Sequence, residues 1–167
     1  LKTKSSALAP GFIATLNLSG VMEILIPEKN GLDILWSPDA SMFLYSETKN
    51  LGESMDVWLT KTKTPQDGEK LGFKTLAEKC MWSKEDTEII FCAVPKILPS
   101  YVIPDNWWMG DFFFEDRLWK INTVTGEVKI ILNEESFDII DLFSSVNEDH
   151  VFFINKKDST LWSLKLE

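Results

Sequence analysis

The side chains with the most chemical potential in this 167-residue chain lie between Cys80 and Asp116. Tyr101, Trp107 and Trp108 stand in a stretch that also carries Asp105, Asp111, Glu115, Asp116 and the run Phe112-Phe113-Phe114. Paired indoles beside carboxylates suit a platform on which a sugar ring or an apolar peptide side chain stacks while the acids accept its hydrogen bonds. Tyr101, Asp105, Trp107 and Trp108 are therefore the candidate binding residues. The same aromatics suit a second use, folding back as a local mini-core with Pro95, Pro99 and Pro104 stiffening the path. The four acids offer oxygen ligands of the kind Ca²⁺ takes. No spaced Asp-x-Asp-x-Asp loop accompanies them, so a solvated acidic rim is expected and no metal is assigned.

Catalytic machinery has little material. His150 is the sole histidine, which leaves a Ser-His-Asp triad or a multi-histidine metal site without its parts. Neither a Gly-x-Gly-x-x-Gly or phosphate loop nor a Gly-x-Ser-x-Gly elbow is present. No catalytic residue and no cofactor is expected, and His150 is read as structural. Cys80 and Cys92 flank a polar turn near Asp86, which places them opposite one another if the flanking segments pair. Two outcomes stay open, a cross-strand disulfide or two buried thiols; the disulfide would indicate an oxidising compartment.

The bulk charge narrows the partners. Seventeen basic against twenty-six acidic side chains give a net charge of −9, a field that repels phosphate backbones and anionic head groups, so nucleic acid is not an expected partner. No segment approaches the roughly 20 continuous apolar residues that cross a bilayer, and membrane insertion is not expected.

The elements that must position these groups show up as a repeat. Ser37-Pro38-Asp39-Ala40-Ser41-Met42-Phe43-Leu44-Tyr45 recurs around Ser83 and again around Ser145 as Ser, an acidic or amide residue two positions on, and three apolar residues. Each copy follows a short apolar run, so a polar turn lies between two strands of an antiparallel hairpin. Downstream of each hairpin a tryptophan sits among aliphatic residues, at Trp58, Trp119 and Trp162, and is expected to mark an outer strand. The first two hairpins are 46 residues apart (83 − 37), close to the length of one propeller blade.

The pattern apolar-Trp-Ser-Pro-Asp, as in Trp36-Ser37-Pro38-Asp39, followed by apolar-Trp-x-apolar-Asn-x2-Thr-Gly, as in Leu118 to Gly126, resembles the WD40-like repeats of TolB-type β-propellers. The second copy keeps Trp82-Ser83 with Lys84-Glu85 in place of Pro-Asp, and the third keeps Ser145 with Asn147 at the acidic position. The resemblance, which also extends to propeller proteins of uncultured bacteria, implies an all-β chain. It corresponds to a propeller fragment of about three four-stranded antiparallel blades plus one N-terminal outer strand. On this reading 1–10 is linker or disordered, 11–31 holds the outer strand, and 32–70, 71–133 and 134–167 are blades, the middle one with an insertion at 93–115. Propellers usually close with four to eight blades, so further blades or self-association are expected. The expected function is a non-catalytic module of a larger, exported protein in the extracellular space or cell envelope, binding protein, peptide or glycan through its loop face. The alternatives are an accessory propeller of a peptidase or glycosidase, or a glycan-processing propeller whose catalytic groups lie on other blades.

Overall fold

The computed structural model describes residues 1–166, apart from the side chains of Glu134 and Glu135. It is built almost wholly of antiparallel strands, divided into two compact units.

The first unit comprises Leu1–Ala77 with Ser100–Phe112. Its strands β1 (Pro10–Leu16) and β2 (Met22–Asn30) pair with each other. Strands β3 (Asp33–Trp36), β4 (Met42–Lys49), β5 (Ser54–Lys61) and β6 (Thr64–Lys70) form a four-stranded meander in chain order. Ile13, Leu25, Ile26, Leu32, Phe43 and Tyr45 join the two sheets in one core. A short helix α1 (Asp105–Met109) belongs to this unit as well.

The second unit comprises Glu78–Pro99 with Phe113–Glu167. Strands β7 (Cys80–Trp82), β8 (Ile89–Pro95), β9 (Asp116–Asn122) and β10 (Val128–Phe137) form a second four-stranded sheet. Strands β11 (Ile139–Ser144), β12 (His150–Asn155) and β13 (Thr160–Lys165) form a third sheet. Met81, Phe91, Leu118, Phe137, Val151 and Phe153 form the core of this unit.

The repeated serine explains why the hairpins recur. Ser37 N donates to the Met42 carbonyl while its Oγ accepts from Met42 N. Ser145 N and Oγ make the same two bonds to His150. Ser83 N reaches the Ile89 carbonyl across a turn one residue longer, and its Oγ accepts from Glu85 N and Asp86 N. One hydroxyl thus satisfies the backbone of the turn and fixes where the next strand begins.

Four expectations are corrected. Residues 1–10 are docked rather than linker: Leu1 N donates to the Ala14 carbonyl, Thr3 N to that of Phe12, and Ser5 and Ala7 are buried. Residues 11–31 form a hairpin instead of a single strand, because Asn17 Oδ1 accepts from Ser19 N and Val21 N and Gly20 takes up a left-handed φ of 78°. The third sheet has three strands among the described residues. Trp58 and Trp119 lie on β5 and β9, the third of four strands rather than the outer one, whereas Trp162 lies on β13, at the edge of its sheet as expected; they stand opposite Tyr45, Cys92 and Phe153.

Candidate functional site

The stretch after β8 is where the sequence places a binding surface. Its central part is ordered by backbone bonds rather than by strand pairing. Asn106 Oδ1 accepts from Val102 N and Asn106 N donates to the Val102 carbonyl, closing the turn that enters α1. Gly110, with φ 84°, ends the helix and donates to the Trp107 carbonyl, the usual way for a left-handed glycine to stop a helix.

Within α1 the two indoles part company. Trp107 is 2% exposed and forms part of the interior, whereas Trp108 is 41% exposed. The paired-tryptophan platform is therefore corrected: neighbouring positions of a helix point about 100° apart, and here Trp107 turns inward while Trp108 faces out. Tyr101 is exposed and stacks on Phe112 with ring centroids 4.6 Å apart. Asp105 Oδ2 accepts a hydrogen bond from Ala7 N at 3.1 Å and so holds the N-terminal segment against the helix.

Two buried positions with no motif to mark them, Gly52 and Ile103, help anchor this surface. Ile103 N donates to the Gly52 carbonyl, and a Cβ on Gly52 would lie within 3.0 Å of both Ala7 and Ile103. The neighbours of these anchors, Leu8 and Leu51, are exposed, as is Met109. Asn50, Leu51 and Gly52 all have positive φ, at 52°, 56° and 91°. An exposed leucine held in the left-handed region costs conformational energy, and such residues concentrate at functional surfaces. Asn50 and Gly52 are residue types that favour this region, whereas Leu51 is not.

The four carboxylates each have a separate partner. Asp111 Oδ2 accepts from Asn106 Nδ2 at 2.7 Å, and Glu115 Oε1 from Ser136 Oγ at 3.1 Å. Asp116 departs from the expected solvated rim: it is buried, and its Oδ2 meets Lys79 Nζ at 2.8 Å and accepts from Ile139 N. Lys79 Nζ also lies 2.6 Å from Asp138 Oδ1, and Asp138 Oδ2 accepts from Phe114 N. Burial pushes the Asp116 carboxyl up, with Lys79 opposing the rise and Asp138 adding to it.

Cys80 and Cys92 are joined by a disulfide between directly opposed residues of β7 and β8, with Cα atoms 4.1 Å apart. His150 belongs to its turn: its ring nitrogen Nδ1 lies 3.1 Å from Asp149 Oδ1, and the ring stacks on Phe152. No helix among the described residues is long and apolar enough to cross a membrane.

Neither protein-family profiles nor curated protein sequences match this chain. Solved structures do. The chain is similar to an oligogalacturonate lyase in complex with manganese (TM-score 0.57, 13% identity, 94% of this chain and 41% of that one). It is also similar to the β-propeller domain of the Trilobed protease from Pyrococcus furiosus, which has an open velcro topology (TM-score 0.57, 12% identity, 99% and 52%). A third is a protein described as TolB from Agrobacterium tumefaciens (TM-score 0.51, 12% identity, 93% and 62%). The chain has the fold of TolB-like β-propellers, as a partial propeller, and spans less than two thirds of each of these chains.

Proposed function

We propose that this chain is a non-catalytic propeller module that binds a partner through the surface built on 100–112. The observation that carries this reading is the gathering of exposed apolar side chains, Leu8, Leu51, Tyr101, Trp108 and Met109, on segments anchored to one another by the Ala7–Asp105 and Gly52–Ile103 hydrogen bonds. Contiguous exposed apolar groups mark interaction surfaces, and leucine and methionine beside aromatics favour a protein or peptide over a glycan. The two anchoring hydrogen bonds hold the loop in place and keep the ordering cost of binding low. The Cys80–Cys92 disulfide supports an oxidising setting, hence the extracellular space or cell envelope.

The test is a peptide and glycan array probed with the chain and with a Tyr101→Ala/Trp108→Ala variant. Peptide hits lost in the variant are expected. Hits that survive unchanged, or an array with none, contradict the proposal.

A second reading, an accessory propeller of a hydrolase, draws on the Trilobed protease domain among the similar structures. A catalytic domain encoded in the same open reading frame is its expected sign.

A further inference from the structure

On the sheet β7–β10 one cross-strand row runs Met81, Phe91, Lys120, Lys129, each directly opposite the next. Residues in such a row share a face. The row therefore leads from the core of the second unit, where Met81 and Phe91 are buried, out to two ammonium groups side by side. Directly opposed like charges cost stability. Among the described residues neither Lys120 nor Lys129 forms a salt bridge with an acid; Lys120 Nζ instead lies 5.9 Å from the centre of the Phe91 ring.

Both lysines line a cleft of about 290 Å³, together with Lys165 of β13 and the apolar side chains Ile131, Leu164 and Leu166. Those three apolar residues pack on the core of this unit, so the floor is continuous with it. A second cavity of about 270 Å³ again holds Lys120 and Lys129, and Glu127, which lines it too, forms no salt bridge among the described residues. Three lysines at one cleft make it locally cationic on a chain whose net charge is −9. A cationic rim over an apolar floor, in a cavity near the lower end of the roughly 300 to 1,000 Å³ typical of ligand sites, selects a ligand with one anionic end and an apolar body.

We propose that this cleft binds a small amphiphilic carboxylate, its anionic head between Lys120 and Lys129 and its apolar body on Ile131, Leu164 and Leu166. Such a ligand turns the lysine repulsion into charge-assisted hydrogen bonding, the stronger class of hydrogen bond. The reading is independent of the surface on 100–112.

The experiment is a titration of the chain with decanoate below its micellar range, followed by calorimetry and by the methyl resonances of Ile131 and Leu164. Decanol and acetate serve as probes lacking the charge and the apolar body. The expected result is saturable one-to-one binding of decanoate, methyl shifts at Ile131 and Leu164, and affinity about tenfold weaker or more in Lys120→Gln/Lys129→Gln. Decanol and acetate are expected to bind at least tenfold more weakly than decanoate, by the same reasoning. Should the double variant fail to fold, Lys129→Gln alone, a change at an exposed position, replaces it with the same direction of effect. Decanol binding as tightly as decanoate, variants binding unchanged, or no saturable binding overturns the proposal.

Discussion

Lys79 Nζ lies 2.6 Å from Asp138 Oδ1 with neither side chain exposed, and the same ammonium holds Asp116 at 2.8 Å. Because Asp138 also accepts from Phe114 N and Asp116 from Ile139 N, one lysine ties the end of the insertion to the starts of β9 and β11. Replacing it removes the buried ammonium that both carboxylates share. Lys79→Met is expected to lower unfolding stability by about 3 to 5 kcal/mol, read from the midpoint of a denaturant titration at constant slope.

That deficit should depend on pH in a stated direction. Burial raises the Asp116 carboxyl in the folded state, so between the ordinary carboxylate value and the raised one the folded chain holds more protons than the unfolded chain. Stability then falls as pH rises through that window. Without Lys79 the rise is larger, so the deficit of Lys79→Met relative to the parent should shrink as the pH is brought down toward 4. A deficit that is flat with pH contradicts the clasp.

Other carboxylates act in the opposite sense. Ser145 Oγ donates to Asp149 Oδ1 and, with His150, holds this carboxyl below its ordinary value. Asp39 is lowered likewise by Ser37 and Ser41. Burial works to raise Asp56, but its bonds to Lys70 and Lys49 outweigh it and leave the group lowered. A depressed folded value contributes stability above the unfolded value and loses it as pH falls through the folded one. Thermal midpoints should therefore drop below about pH 4, and Ser145→Ala should both reduce the midpoint at neutral pH and lessen that acid dependence.

The Cys80–Cys92 bridge closes a short loop, with a sequence separation of 12. Cross-linking at this spacing restrains the unfolded chain by about 2 to 3 kcal/mol. Cys80→Ala/Cys92→Ala is expected to fold with a stability reduced by that order, and a thiol assay on the parent chain under denaturing, non-reducing conditions should find no free cysteine.

The repeat was legible because each part of it is local. Ser37, Ser83 and Ser145 form their turns within five or six residues, and the opposition of Cys80 and Cys92 follows from counting outward from one turn. What the sequence hides is set by distance or by a change of period. Lys79 and Asp138 are 59 residues apart, and nothing in either neighbourhood names the other. Trp107 and Trp108 look equivalent in a presumed loop, yet one turn of helix sends one inward and the other outward. In the left-handed run at Asn50, Leu51 and Gly52 the outer two residues are types that favour that region, but nothing local names Ala7 and Ile103, which crowd Gly52.

The surface on 100–112 is the proposed seat of binding. Its most direct test is the dissociation constant of a peptide selected on the array, measured for the parent chain, for Tyr101→Ala/Trp108→Ala and for Trp162→Ala. Trp162 is 43% exposed, matching Trp108, but belongs to β13 of the second unit and so controls for aromatic exposure alone. The loop variant is expected to bind about tenfold more weakly or worse while Trp162→Ala stays within about twofold of the parent. Equal losses in both variants, or none in the loop variant, would contradict it.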